Sequence, residues 1–175
     1  MKEKLYLGVI IITLLFTQSL FSQTVLITGI VDGTVANDAC SGASGSDPRF
    51  IEIYVNGTID FTDYDLDISV NGGNWVSKDI SSLSSISNQF VYIVMSSDIT
   101  AFDSAFPGVT RITIANETIN GNDAVRIEDP NSNVLDVFGD PTQISSSSDY
   151  ETWNYQNSYA KRKNGTLPNN GVFMK

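Results

Sequence analysis

The chain predicts an all-β sandwich with one short helix, and three observations carry that reading. Short runs rich in Val, Ile, Tyr and Phe recur along it. Several alternate apolar and polar residues with period two, as half-buried strands do. Clusters of Gly, Asn, Asp, Ser and Pro separate the runs at turn-like intervals, and only one segment, 98–108, carries helical spacing.

Lys2 and Lys4 precede an apolar run from Leu5 to Phe16, and Thr17 to Ser22 follow. That order predicts a secretory signal peptide over residues 1–22, cleaved after Ser22. The run falls short of the roughly 20 apolar residues a membrane span needs. No Cys lies near the cut, so no lipoprotein anchor is expected there. Residues 23–175 then form one domain with one core, and the expected location is secreted, extracellular or at the cell surface.

Val25–Val31 opens the domain as a strand, with Gly29 as a bulge. A polar loop follows to Pro48 and holds the single Cys, Cys40. One Cys allows no intrachain disulfide, so stability must come from burial and strand pairing. In Phe50–Val55, Ile51, Ile53 and Val55 share one face, and Phe50, Glu52 and Tyr54 the other; a Glu between two aromatics suggests a sheet edge or sandwich rim. Residues 63–70 alternate cleanly, with Tyr64, Leu66, Ile68 and Val70 inward and Asp63, Asp65 and Asp67 outward. Asn71–Asn74 is a hairpin turn into a return strand, Trp75–Ile80. The Ser-rich segment 81–88 reads as a loop.

Gln89–Met95 is apolar on both faces and predicts a central strand. Asp98 is placed to cap a short helix with Ile99, Phe102 and Phe106 on one face, stopped by Pro107 and Gly108, covering one end of the sandwich. Val109–Ala115 is the next strand. Residues 143–152 form a polar loop, and Trp153–Tyr155 with Tyr159–Arg162 make the last strand region.

The most specific stretch runs from Asn116 to Asp140. Asp123–Glu128 and Val134–Phe138 read as strands joined by Asp129-Pro-Asn-Ser-Asn133, a turn built on fixed proline φ and Asx hydrogen bonding. Upstream, Gly121 or Asn122 is expected to take a positive φ.

The segment INGNDAVRIED…NVLDVFGD resembles the signature of the lamin tail domain as it occurs in bacterial secreted proteins. FIEIYVNGTIDFTDYDL (50–66) and SYAKRKNGTLPNNGVF (158–173) resemble the family's early strand and its late aromatic-basic strand. The resemblance covers most of residues 24–173. It implies an immunoglobulin-like β-sandwich acting as a binding or attachment module, often beside a secreted nuclease or hydrolase. It also implies a closing strand with a Trp, which this chain lacks before Lys175, so a truncated C-terminal end or a longer parent chain is an expectation.

Composition excludes much chemistry. The chain has no His, which removes Ser–His and Cys–His nucleophiles and imidazole metal sites. No P-loop, dinucleotide fingerprint or nucleophile elbow is present. The expectation is no enzyme activity, although two carboxylates suffice for glycosidases and nothing selects such a pair. The formal charge is −10. Removing Lys2, Glu3 and Lys4 leaves 8 basic and 19 acidic residues, a net of −11. Such a surface repels nucleic acid at long range. Lys161-Arg162-Lys163, the single basic cluster, reads as a solvated strand end.

No cofactor is expected except calcium, whose oxygen ligands Asp and Asn can supply. The candidates are Asp63, Asp65 and Asp67 on one strand, and Asn120, Asn122, Asp123, Asp136 and Asp140 in turns; no EF-hand pattern accompanies them. The chain therefore reads as a non-catalytic interaction module with a protein or glycan partner. The other readings are an accessory domain or fragment of a secreted nuclease or hydrolase, and a calcium-dependent carbohydrate-binding module.

Overall fold

In the computed structural model, which describes residues 23–33, 48–115, 119–142, 155 and 158–169, the alternating segments pair into two stacked sheets. Among the described residues the strands are β1 (Thr24–Val31), β2 (Phe50–Asp60), β3 (Asp65–Ser69), β4 (Trp75–Asp79), β5 (Ser85–Met95), β6 (Arg111–Ile114), β7 (Ala124–Glu128), β8 (Val134–Phe138) and β9 (Tyr159–Lys161), with one α-helix, α1 (Ile99–Ala105), between β5 and β6. One sheet has five strands in the order β6-β5-β2-β1-β9, and the other has four in the order β4-β3-β7-β8. The architecture is an immunoglobulin-like β-sandwich. The signal segment, Cys40 and Trp153 lie outside the described residues.

Period two decides what faces inward. Val25, Ile27, Ile30, Ile51, Ile53, Val55, Val91 and Ile93 from the five-stranded sheet meet Leu66, Ile68, Val125 and Ile127 from the four-stranded sheet, all fully buried. Each such side chain contributes on the order of 1.5–3 kcal/mol through removal from water. The predicted β7–β8 hairpin forms, and Asp129 organises its turn by accepting the N–H groups of Asn131 and Asn133, each at 2.8 Å. Left-handed backbone falls on Ser132 (φ 62°) and Gly139 (φ 84°) rather than on Gly121 or Asn122.

The Ser-rich segment corrects the loop reading. Ser85, Ile86 and Ser87 pair with Asp60, Ile59 and Thr58, so β2 and β5 are both longer than the apolar runs suggest. Ile59 and Ile86 are buried and hold this extension to the core, while the serines face water.

Two irregularities shape the five-stranded sheet. The register of β1 against β2 shifts between Ile27 and Gly29, which makes Thr28 the extra residue of the predicted bulge. β2 shifts against β5 between Val55 and Thr58, where Gly57 has φ 82°. β6 runs parallel to β5. A parallel neighbour needs a crossover rather than a tight turn, and α1 lies in that crossover.

The helix does not cover the end of the sandwich. It packs on the outer face of the five-stranded sheet, where Phe102 meets Phe50 and Val94 in a second small core edged by Val31, Tyr92, Ile99 and Val109. Ring centroids lie 5.1 Å apart for Phe50–Phe102 and 5.0 Å for Phe102–Phe106. β5 is apolar on both faces because this cluster covers its far side. Asp98 makes no side-chain cap; its carboxylate instead accepts Arg49 Nε at 2.7 Å.

Truncating Phe102 empties the centre of the second core. Phe102→Ala should lower unfolding stability by about 3–5 kcal/mol, read as a drop in the urea midpoint.

Candidate functional site

The seven-residue helix covers only part of the outer face it sits on. Next to the covered part, β1 presents Leu26 and Thr28, β2 presents Glu52 and Tyr54, and β5 presents Phe90. Tyr54 and Phe90 are cross-strand partners, and their rings lie 4.9 Å apart at 53°. Phe90 is 49% exposed, unusual for an aromatic beside a sheet centre. A second wall rises from β9 and the turn after it, with Lys161, Arg162, Lys163, Asn164, Gly165 and Thr166. Between floor and wall lies a groove of 390 Å³.

Glu52 sits on the floor. β2 is the middle strand of five, so the face carrying Phe50, Glu52 and Tyr54 lies mid-sheet and not at a rim. Thr28, turned outward by the bulge, donates its hydroxyl to Glu52 Oε1 at 2.8 Å. Glu52 also bonds to the Tyr92 phenol, and burial together with that neighbouring negative charge pushes the phenol up.

The wall is anchored from beneath. Lys161, the last residue of β9, and Lys163 beyond it are exposed, and Arg162 between them is turned inward. Arg162 Nη2 meets Asp136 Oδ2 at 2.6 Å, and its Nε donates to the Ile27 carbonyl at 2.7 Å. The Arg162 backbone N–H donates to Thr28 O at 2.8 Å. The Ile27 N–H, at the bulge, donates to Asp136 Oδ2 at 2.7 Å. Asp136 projects from the core side of β8 and is fully buried. Its other oxygen accepts the Asn169 N–H at 3.1 Å, and the Asn169 amide pairs with both backbone groups of Val137. Burial pushes the Asp136 carboxyl up, against the pull of the Ile27 N–H, Arg162, and the Asn169 and Val137 N–H groups. Arg162 is therefore a buried clamp, which corrects its reading as part of a solvated strand end.

The calcium candidates are spread over separate places. Asp63 sits in a turn before β3 with φ 61°, off the expected strand. Asp67 is buried and accepts Arg126 Nε at 2.8 Å, while Arg126 Nη2 reaches Glu128 at 2.7 Å and its guanidinium stacks 4.4 Å from the Trp75 ring. Asp65 pairs across to Glu128, not into a ligand cage. Burial and Asp67 push the Glu128 carboxyl up, and Arg126 opposes them.

In the turn, Asp123 is fully buried, and its two oxygens accept the N–H groups of Asn71 at 2.9 Å and Asn120 at 2.8 Å. Asn122 donates its amide to Asn71. Tyr155, also fully buried, donates its hydroxyl to Asp123 O at 3.1 Å, and burial raises that phenol well above its ordinary value. Asp140 accepts the N–H and hydroxyl of Thr142. Among the described residues no three acidic, Cys or His side chains come together as a metal-holding group. The carboxylates of Asp67, Asp123, Asp136 and Asp140 instead accept backbone N–H groups or pair with arginines.

The groove escaped the sequence reading because its parts come from β1, β2, β5 and β9. Phe90 and Tyr54 carried a signal, since both fall on the face opposite the buried aliphatics. No helix of the described residues is long and apolar enough to cross a membrane. No protein-family model and no curated protein matches the chain.

Three outcomes follow from this geometry. Asp136→Ala should cost about 3–5 kcal/mol because it strands a buried guanidinium. Combining it with Arg162→Ala should cost less than the sum, by about 1.5–3 kcal/mol, in a double-mutant cycle of urea midpoints. A ligand of the native state raises the melting midpoint by mass action; since Asp67, Asp123, Asp136 and Asp140 already have partners, calcium and excess chelator should leave it within about 1 °C of the same value.

Proposed function

We propose that the chain is a non-catalytic, secreted interaction module of lamin-tail type, and that the groove on the five-stranded sheet is its contact surface. The single observation that carries the groove assignment is the Tyr54–Phe90 pair, half-buried Tyr54 against exposed Phe90, in a concave site walled by a basic turn. An aromatic pair with one ring left facing water beside polar groups is the composition of a recognition surface. A sandwich presents such a face without needing a mobile part.

The lamin-tail reading is supported by where the resembling segments meet. Asp136 comes from VLDVFGD and Arg162 from AKRKNGT, and they form one ion pair between the sheets. Secretion is supported by the basic start and apolar run before Gln23. The lack of His supports a role in binding and not in turnover.

The test is a screen of the full chain against immobilised glycans, peptidoglycan, DNA and proteins, repeated with Tyr54→Ala/Phe90→Ala. Binding to one ligand class should fall at least about tenfold in the variant, or about 1.4 kcal/mol, with little change in melting midpoint. Binding untouched by the double substitution would move the contact surface elsewhere, and turnover of any polymer would end the non-catalytic reading.

A further inference from the structure

Resting on the groove assignment above, we propose that the groove takes a glycan chain whose pyranose rings carry negative charge, as carboxylate or sulfate ester. The first argument is the floor. A pyranose ring presents apolar C–H faces, and the electron-rich faces of Tyr54 and Phe90 complement them. Rings tilted at 53° offer two planes, which suits successive sugar units twisted relative to one another.

The second argument is how positive charge is allocated. Residues 23–175 carry a large excess of acid. Each of the four arginines pairs with a carboxylate, Arg49 with Asp98, Arg111 with Asp103, Arg126 with Asp67 and Arg162 with Asp136. Lys161 and Lys163 both line the groove, both are exposed, and neither makes an ion pair among the described residues. Two unneutralised cations on an acidic domain therefore stand side by side on the groove wall, held there because Arg162 between them is anchored inward. The backbone that carries them is anchored by Arg162 before a ligand arrives, which reduces the ordering cost of binding.

The third argument is orientation. Glu52 on the floor repels an anion placed over it, while its oxygens can accept sugar hydroxyls. Ligand charge is thereby directed to the lysine side, and ring hydroxyls to Glu52, Thr28, Asn164 and Thr166. Nucleic acid fits less well. Neutralising two phosphates gives only a small counterion-release term, and the remaining surface repels the rest of the polyanion.

The experiment is calorimetric titration of the full chain with four oligosaccharides of similar length: oligogalacturonate, its methyl ester, a sulfated galactan and a neutral cello-oligosaccharide. Oligogalacturonate or the sulfated galactan should bind, and whichever is tighter identifies the anion. The methyl ester and the neutral chain should bind at least about tenfold more weakly, and added salt should weaken only the charged ligands. Lys161→Ala/Lys163→Ala should lose at least about tenfold on the charged ligand and nothing on a neutral one, with an unchanged melting midpoint. Methyl ester and cello-oligosaccharide binding as tightly as the acid, with loss in Tyr54→Ala/Phe90→Ala, would overturn the inference and leave the groove standing. Binding of none of the four would overturn it outright, and the Tyr54/Phe90 screen would then decide the groove assignment by itself.

Discussion

A fully buried carboxylate on the core side of β8 is the constraint around which this sandwich closes. Alone, an ionised Asp136 among apolar side chains would cost several kcal/mol in lost hydration. It is tolerated because the Ile27 N–H, beside the bulge in β1, donates to it, and because Arg162, just past the last strand, arrives with its charge and a second bond to the Ile27 carbonyl. One group thus joins β8 of one sheet to β1 and β9 of the other. Short, charge-assisted bonds are directional, so they set position in a way that the surrounding aliphatic packing does not.

The division of the outer face follows from lengths. A helix of seven residues spans about 10 Å at 1.5 Å per residue. A strand advances about 3.3 Å per residue, so such a helix shields roughly three strand positions. Phe50, Tyr92 and Val94 fall within its contacts, and Phe90 and Tyr54 lie further along the same strands. The aromatic periodicity of β2 and β5 continues past the edge of the cover. A longer helix would have made these rings ordinary core; this one leaves them as the floor of a groove.

That distinction marks what the sequence could convey. Period two separated the two faces of β2 and identified Leu66 and Ile68 as inward in β3, though it sent the buried Asp67 outward, and the turn chemistry of Asp129–Asn133 placed the β7–β8 hairpin, because both signals are local. Ser85–Ser87 was hidden because its strand character depends on pairing with Thr58–Asp60 and on the single buried Ile86. Helix placement was missed because Phe102 announces an apolar helical face without naming the surface that receives it. The groove was illegible for the same reason, since Tyr54 and Lys161 are distant in sequence and meet only once β1 lies between β2 and β9. The acidic residues show the same limit: carboxylates near one another in sequence suggest a cation, and sequence spacing does not tell that Asp67, Asp123 and Asp136 meet partners supplied by other strands and turns.

The different placements of arginine and lysine then acquire a physical reason. A guanidinium is weakly hydrated and offers several donors in a fixed plane, so it can satisfy a buried carboxylate and a carbonyl together, as Arg162 does. An ammonium is strongly hydrated and favours the surface. With Arg162 turned inward to close the sandwich, Lys161 at the end of β9 and Lys163 beyond it are left exposed on the outer face. The wall of the groove is a direct consequence of the clamp beneath it: the bond that holds the two sheets together also decides where the protein shows its positive charge.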